Sequence, residues 1–281
     1  MSQICGDRFV GGQGDRFLVP TRWDKEPVPS SHCTFSSNTG MIVEEVDRMN
    51  TIIFDVDDTL YDQAMSFKNT CKRMIDKSFT EKELDELYII SRKYSDSLFD
   101  KCEAGEMSVQ EMHIRRVTDA FEEVGITVST GKAIEFQEAY VEEQQKIFLF
   151  DEVVELLDFL HKQGKQLAIL TNGSEGHQSM KIKQLNLSRW IPDEHTFISG
   201  AIGYAKPTQE VFRIIEDKLQ LDRATTVYVG DSFANDMVGA KQAGWNAVWM
   251  NHRKREMPEN TVVPDKVVYN AEELLKLFGG K

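Results

Sequence analysis

The second half of the chain alternates short apolar runs with longer amphipathic patterns. Short runs rich in β-branched and aromatic side chains, closed by polar residues, predict buried strands. Between the runs, apolar side chains recur at helical spacing, as at Val153, Leu156 and Leu160. Strand–helix alternation with short loops predicts an α/β fold, a Rossmann-like doubly wound parallel sheet with helices on both faces. The predicted strands lie at 52–54, 167–170, 196–199, 225–229, 247–250 and 266–268.

Residues 66–150 differ, because helix signals follow one another there without a strand between them. The segments 80–83 and 108–111 both match the capping box, in which side chains satisfy free backbone amides at a helix start. A bundle of about four helices can bury its own core. The pattern therefore predicts an inserted α-helical domain at 66–150, between the two parts of an α/β core at 49–65 and 151–281.

The first 48 residues have another character. Gly-Asp-Arg-Phe occurs at 6–9 and again at 14–17, prolines and a Ser/Thr/Asn-rich patch follow, and no helical or strand period runs through the segment. It lacks the apolar centre of a secretory signal and is too acidic for a transit peptide. We expect residues 1–48 to form a flexible N-terminal extension. Met41 and Met49 are alternative starts, which leaves open whether the extension belongs to the native product.

Composition narrows the class of protein. With 41% hydrophobic and 28% charged residues, the chain is typical of a soluble globular protein. A net charge of −13 argues against a nucleic-acid polymer or an anionic membrane as partner, because both need a basic footprint. The four cysteines are scattered without a CxxC pair, which favours reduced thiols and a cytoplasmic location. Composition leaves the oligomeric state undetermined.

Carboxylates follow two of the predicted strands. Asp55 and Asp57 come directly after the first strand, and Asp231 and Asp236 follow the strand that ends at 229. On its own, the first pair is equally compatible with an acidic, solvated turn. In a parallel sheet, however, the carboxyl ends of the strands converge, and ligands bind there. An oxygen-only cluster without histidine or cysteine favours Mg²⁺ over zinc or copper.

Groups suited to an anion follow the predicted strand at 167–170, and a lysine lies further along the chain at position 206. Thr171 supplies a hydroxyl, and Asn172 and Gly173 offer backbone amides at an expected helix start. Lys206 adds a positive charge immediately before Pro207, a residue that suits a helix start. Thr171 is alternatively a plain helix N-cap, and Lys206 a solvated surface lysine.

Four polar segments occur in a fixed order along the chain: Asp-Val-Asp-Asp-Thr at 55–59, Leu-Thr-Asn-Gly at 170–173, Lys-Pro at 206–207 and Gly-Asp-Ser-Phe-Ala-Asn-Asp at 230–236. In this order they resemble the motifs of the haloacid dehalogenase-like (HAD) hydrolases. The resemblance extends from about Asn50 to the C-terminus and leaves residues 1–48 outside it. The helical insertion resembles the α-helical cap that one subfamily carries between its first and second motifs.

The resemblance implies a role for each matching residue. Asp55 would be the nucleophile that forms an aspartyl-phosphate, and Asp57 the general acid and later the general base. Thr171 and the Asn172 amide would bind the phosphoryl oxygens. Lys206 would neutralise negative charge on Asp55 and on the phosphoryl group.

The resemblance also implies a metal site and assigns different roles to the remaining aspartates. Asp55, the Asp57 backbone carbonyl and Asp231 would hold Mg²⁺, and Asp236 would either bind the ion or support a ligand. Asp58 is expected to be a turn residue and not a third catalyst.

Other polar residues lie outside the four motifs. Arg115 and Arg116, on a helix of the insertion, are candidates to hold a second acidic group of the substrate, although a solvated helix face is the expected setting of at least one of them. Three histidines are expected to be surface or structural residues, because the implied mechanism needs no imidazole. They are His177, His195 and His252.

Asp57 distinguishes the reactions found in this family. The family's dehalogenases lack an acid two residues after the nucleophile, because a halide leaves without a proton. The sequence therefore favours an Mg²⁺-dependent phosphatase acting on a small phosphorylated metabolite, with nucleoside 5′-monophosphates and sugar phosphates as leading substrate classes. A phosphomutase and a catalytically idle binding or regulatory protein are the alternatives.

Overall fold

The computed structural model describes residues 48–259 and 262–279, and every predicted strand lies within these ranges. Six strands form one sheet in the order β3-β2-β1-β4-β5-β6, and every neighbouring pair is parallel. The predicted α/β fold is confirmed. The strands are β1 (Thr51–Phe54), β2 (Gln166–Thr171), β3 (Thr196–Ile198), β4 (Thr226–Gly230), β5 (Asn246–Met250) and β6 (Lys266–Val268).

Helices lie between the strands and in one long insertion after β1. The insertion holds the first four helices. In the rest of the chain one helix precedes β2, one lies between β2 and β3, two lie between β3 and β4, one lies between β4 and β5, and the last follows β6. Their bounds are α1 (Gln63–Met74), α2 (Glu81–Glu103), α3 (Val109–Glu123), α4 (Thr130–Gln144), α5 (Asp151–Lys162), α6 (Glu175–Gln184), α7 (Ser199–Ile202), α8 (Gln209–Leu219), α9 (Val238–Ala243) and α10 (Ala271–Leu277).

β1 occupies the centre of the sheet because it is apolar on both faces. Ile52 and Phe54 pack into the core on one face and Ile53 into the core on the other, as the two-residue period of a strand requires. All three side chains are fully buried. β1 pairs with β2 on one side and β4 on the other, so the residues after these three strands meet at one edge of the sheet.

The insertion has an apolar core of its own. Phe67, Phe121, Phe136 and Tyr140 pack there, and Phe136 meets Phe67 and Phe121 edge to face at centroid distances of 5.6 Å. Edge-to-face geometry is favourable between aromatic rings. The division into a core at 49–65 and 151–281 and a cap at 66–150 stays a prediction, and helix α1 starts ahead of that boundary.

The capping boxes explain where two of these helices begin. At α2, the Thr80 amide donates to Glu83 Oε2 at 2.8 Å and the Glu83 amide donates to Thr80 Oγ1 at 3.2 Å. At α3, Ser108 Oγ accepts the Glu111 amide at 3.1 Å. Both helix starts therefore follow from local sequence.

The predicted flexible extension at 1–48 lies outside the described residues, apart from Arg48. Among the helices that are described, none combines the length and the apolar composition needed to cross a bilayer.

Candidate active site

The edge of the sheet after β1 and β4 carries an acidic cluster, which we define as Asp55, Asp231 and Asp236. One carboxylate oxygen from each residue lies within 4.8 Å of the others. Asp55 extends the β1 ladder, because its amide donates to Val229 O at 2.9 Å. The convergence predicted from the strand ends is therefore observed.

A local change of helix type positions Asp236. Residues Phe233–Met237 form one π-helical turn directly before α9. The Asp236 carboxylate accepts the Ser232 amide at 2.9 Å, which fixes the side chain toward the strand end. A Cβ atom on Gly230 would overlap this carboxylate, so the close approach requires glycine at the end of β4.

Lys206 joins two members of the acidic cluster. Its Nζ lies 2.8 Å from Asp55 Oδ1 and 2.7 Å from Asp236 Oδ1, and it donates to the Tyr228 hydroxyl at 2.7 Å. The lysine side chain is only 3% exposed. Lys206 is therefore a buried, paired cation, and the alternative of a solvated surface lysine is wrong.

The acidic cluster holds more negative charge than Lys206 neutralises. Burial raises the pKa of Asp55, and although Lys206 opposes this, the charges of Asp236 and Asp57 support it, so that the pKa reaches about 7. Burial and the charge of Asp58 raise the pKa of Asp231 well above its usual range. Crowded carboxylates of this kind are stabilised by a cation, and an oxygen-only donor set suits a hard divalent ion. The residues present therefore fit a Mg²⁺ ion.

Asp57 lies outside the acidic cluster and has a cation of its own. Both carboxylate oxygens contact Lys181 Nζ, at 2.7 and 2.8 Å, and Gln178 Nε2 donates to Oδ2 at 3.0 Å. The Tyr61 hydroxyl also donates to this carboxylate. Burial alone would raise the pKa of Asp57, but Lys181, Gln178 and Tyr61 together lower it to about 2. Asp57 is therefore ionised at neutral pH.

The segment after β2 contains Thr171 and the start of α6. Thr171 is buried, but α6 begins at Glu175 with Ser174 in the N-cap position, so the N-cap interpretation of Thr171 is wrong. The Gly173 amide donates to Ser199 Oγ at 2.9 Å. The expectation that this amide stands at a helix start and is available to an anion is therefore also wrong.

Asn172 positions Lys206 through its side chain. Its Nδ2 donates to Lys206 O, and its Oδ1 accepts the Lys206 amide, both at 2.9 Å. Two reciprocal hydrogen bonds fix the lysine backbone beside the strand end. The assignments of Thr171, Asn172 and Lys206 to phosphate binding stay predictions.

These residues fall within a stretch that matches a family model. The model describes a haloacid dehalogenase-like hydrolase and matches residues 49–244. The chain belongs to the haloacid dehalogenase-like hydrolases. The resemblance inferred from the four motifs is thereby confirmed, as is the prediction that the chain is a hydrolase.

Individual relatives of this HAD hydrolase differ in their named activities. The HAD-hydrolase YfnB of Bacillus subtilis is 26% identical over 233 residues, covering 82% of this chain and 96% of YfnB. The pyrimidine 5′-nucleotidase YjjG of Escherichia coli is 26% identical over 231 residues, covering 81% and 96%. An (S)-2-haloacid dehalogenase of a Pseudomonas species is 29% identical over 129 residues, covering 46% and 54%.

The fold is also that of a solved HAD hydrolase structure. A magnesium-bound crystal structure of YfnB superposes with a TM-score of 0.62 at 24% identity, covering 83% of this chain and 99% of YfnB. At this identity the similarity shows the fold alone.

Asp58 is more than the turn residue expected in this HAD hydrolase. It does lie in a turn, with a left-handed φ of 55°, but it is buried. Arg253 Nη2 lies 2.7 Å from Asp58 Oδ1, the Gln63 amide donates to the same oxygen at 3.0 Å, and the Tyr88 hydroxyl donates to Oδ2 at 3.2 Å. Despite burial, hydrogen bonds from His252 and Arg253 hold the pKa of Asp58 well below its usual range. Asp58 therefore ties the loop after β1 to helix α2.

The three histidines occupy structural positions. His195 Nδ1 lies 3.0 Å from Leu167 O, and His252 Nε2 lies 3.4 Å from Asp58 Oδ1. His177 Nε2 lies 2.9 Å from Gln144 Oε1, which joins α6 to α4.

Lys181, Gln178 and Arg253 were missed at the sequence level. Lys181 is separated from Asp57 by 124 positions, and no motif marks it. One indirect signal exists: the buried positions of α6 are Gln178 and Lys181, where a core-facing helix normally has apolar side chains. Buried polar residues require partners, and here the partner is Asp57.

Proposed function

We propose that this HAD hydrolase is a Mg²⁺-dependent phosphomonoesterase that acts through an aspartyl-phosphate on Asp55. The observation that carries the proposal is the different environment of two neighbouring carboxylates. Asp55 lies in the acidic cluster beside Lys206, whereas Asp57 pairs with Lys181. Two acids whose environments separate their pKa values suit two distinct catalytic roles.

Asp55 is the proposed nucleophile. Attack by one of its carboxylate oxygens on phosphorus forms the aspartyl-phosphate, and the bond between phosphorus and the leaving oxygen breaks. Lys206, 2.8 Å from Asp55 Oδ1, would neutralise charge that spreads over the phosphoryl oxygens. Thr171 and the Asn172 amide would contact those oxygens.

Asp57 is the proposed general acid and base. An alkoxide leaving group needs a proton, and water that hydrolyses the aspartyl-phosphate must lose one, whereas a halide needs neither. With its pKa lowered to about 2, the resting Asp57 is ionised, so it is a weak base and has no proton to donate. We infer that Asp57 turns away from Lys181 when substrate enters, because its pKa rises enough to hold a proton only once that contact is broken.

The acidic cluster, with the Asp57 backbone carbonyl, would hold Mg²⁺. When bound, the ion supplies positive charge to the transferring phosphoryl group. The donor set, the raised pKa values of Asp55 and Asp231 and the magnesium reported for YfnB support this assignment.

The substrate class is proposed as a small soluble phosphate, a nucleoside 5′-monophosphate or a sugar phosphate. The name of the YjjG relative supports the nucleotide class. Cys71 and Cys102 are free thiols, which supports a reducing compartment such as the cytoplasm.

Release of phosphate from p-nitrophenyl phosphate tests the proposal. We expect turnover that requires Mg²⁺, stops in excess chelator and is lost in Asp55→Asn. A panel of nucleotides and sugar phosphates would then identify the substrate class. Full activity in Asp55→Asn or in chelator would refute the mechanism, and isomerisation of a sugar phosphate without free phosphate would replace it by a mutase.

A further inference from the structure

Arg116 on helix α3 is a half-buried cation. Among the side chains that the structure describes, no carboxylate lies within 4.0 Å of its guanidinium. Its contacts are Gln137 Oε1 at 2.5 Å and the Tyr140 ring, whose centroid lies 5.2 Å from Cζ. The adjacent Arg115 is exposed and lies 3.7 Å from Asp119. The two arginines therefore have different settings, and the prediction of a solvated helix face fits Arg115.

Arg116 lies on the side of the insertion that faces the core. Tyr140, which it covers, is one helical turn from Gln144 on α4, so both side chains share a face. Gln144 Oε1 lies 2.9 Å from His177 Nε2 on α6. Arg116 is thus two side chains away from the helix that carries Lys181.

The face of α6 that carries His177 also contacts Asp57. His177 and Lys181 are one turn apart, and Lys181 Nζ lies 2.7 Å from Asp57 Oδ2. Burial, Lys181 and, to a smaller extent, Arg116 lower the pKa of His177, whereas the charge of Asp57 raises it. Arg116 and Asp57 therefore approach the same junction between the insertion and the core.

A second arginine approaches this junction from helix α2. Arg92 is one turn from Tyr88, whose hydroxyl donates to Asp58 Oδ2 at 3.2 Å. The carboxylate that pairs with Arg92 is Asp96, at 2.9 Å, but that side chain is 70% exposed and is well solvated. Burial and the charge of Arg92 both lower the pKa of Arg116. The junction therefore has excess positive charge on the side of the insertion.

We propose that Arg116, assisted by Arg92, binds a second anionic group of the substrate, a carboxylate or a second phosphate. This inference rests on the proposed phosphatase function, in which the first phosphate sits at Asp55. A guanidinium binds such groups through two parallel hydrogen bonds, and it does so best where water is partly excluded. The consequence is that, among small phosphates of similar size, those with a second anionic group bind more tightly than those without one.

Matched phosphonates test this inference without turnover. An ω-phosphonocarboxylate and the alkylphosphonate in which a methyl replaces the carboxylate differ in the second anion alone. Calorimetric titration in Mg²⁺ would compare phosphonoacetate, 3-phosphonopropionate and 4-phosphonobutyrate with ethyl-, propyl- and butylphosphonate. We expect the wild type to bind at least one phosphonocarboxylate more tightly than the matched alkylphosphonate. The expected ratio of dissociation constants is about 10 to 100, which is typical of a hydrogen bond to a charged group.

Three variants separate recognition from structure. In Arg116→Gln the ratio of the two dissociation constants should fall to about one, whereas the affinity for the alkylphosphonates should change by less than about twofold. Arg116→Lys should restore part of the preference, because it keeps the charge without the planar fork. Arg115→Gln is the matched control and should behave as wild type. Thermal unfolding of Arg116→Gln should be unchanged or shifted upward, because the variant removes an unpaired, half-buried charge.

The outcomes distinguish this inference from the proposed function. Equal binding of each matched pair by the wild type, or equal weakening of both members in Arg116→Gln, would overturn the second-anion site. If p-nitrophenyl phosphate is still hydrolysed in that case, the phosphatase proposal stands. If neither phosphonate series binds and p-nitrophenyl phosphate is not hydrolysed, both proposals fail. A lowered melting temperature of Arg116→Gln with an intact preference would assign Arg116 a structural role instead.

Discussion

The raised pKa of Asp55 predicts that this HAD hydrolase becomes less stable as the pH rises, and that Mg²⁺ reverses the effect. Asp55 has a pKa of about 7 in the folded protein and 3.8 in the unfolded chain. Between these values the folded state binds more protons at Asp55 than the unfolded state does. Stability therefore falls as the pH rises from about 4 to about 7.

The magnitude follows from the same two pKa values. Their difference corresponds to roughly 4 kcal/mol at 1.36 kcal/mol per pKa unit, to be read as an order of magnitude. Over the accessible range from pH about 5 to about 7, the share of Asp55 is roughly 2 to 3 kcal/mol. Mg²⁺ competes with the proton for the acidic cluster, so it should stabilise the protein more at pH about 8 than at pH about 5.5.

Urea unfolding in chelator and in Mg²⁺ at several pH values measures this effect. In chelator, Asp55→Asn should lose less stability than the wild type over that range, because its side chain cannot ionise. Asp231 also has a raised pKa, so some slope should remain in the variant. Asp217→Asn, at an exposed position on α8, controls for the change of net charge.

The test compares how steeply the free energy of unfolding falls with pH in the wild type and in Asp55→Asn. If Asp55→Asn and the wild type lose stability in parallel, Asp55 is already ionised at pH about 5, and the electrostatic account of the acidic cluster is wrong. Equal stabilisation by Mg²⁺ at both pH values would lead to the same conclusion.

Three further predictions follow from contacts elsewhere at the site. Ionised Asp57 contributes stability above pH about 4, and this contribution is lost as the pH falls toward about 2. In Lys181→Met the contribution should be smaller by roughly 1–3 kcal/mol, which the free energy of unfolding measured at several acidic pH values would show. Gly230→Ala should weaken Mg²⁺ binding and turnover by at least about tenfold, because the new Cβ displaces the Asp236 carboxylate; unchanged Mg²⁺ affinity in calorimetry would contradict this. Deletion of residues 1–48 should leave kcat and KM unchanged, and a large loss of either would show that the extension takes part.

Sequence reasoning located the sheet and the strand-end residues because both depend on local patterns. The apolar run of β1 predicts burial on both faces, and Ile52 and Ile53 are indeed fully buried on opposite sides. Parallel strands bring their carboxyl ends together, so proximity of Asp55 to Asp231 follows from the fold class alone.

The partners of the carboxylates were not predictable in the same way. Lys181 and Arg253 reach Asp57 and Asp58 from segments far along the chain, and their neighbours in sequence resemble ordinary surface residues. Only the packing of α6 and of the loop after β5 brings them into contact. Asp58 was assigned only a turn position for this reason, because a turn position predicts exposure and does not indicate an arginine partner such as Arg253.

Charge balance explains why the two carboxylates of the first motif should behave differently. Asp57 faces Lys181 in a one-to-one pair, which leaves little net charge. Asp55 shares Lys206 with Asp236. The third carboxylate of the acidic cluster, Asp231, lies 3.0 Å from Arg255, whose side chain is 42% exposed and therefore screened by water. The excess negative charge thus lies at Asp55, where a divalent cation would neutralise it and keep the proposed nucleophile ionised. The proposed role of Asp57 as general acid has the opposite requirement, because Asp57 can hold a proton for donation only after its contact with Lys181 is broken.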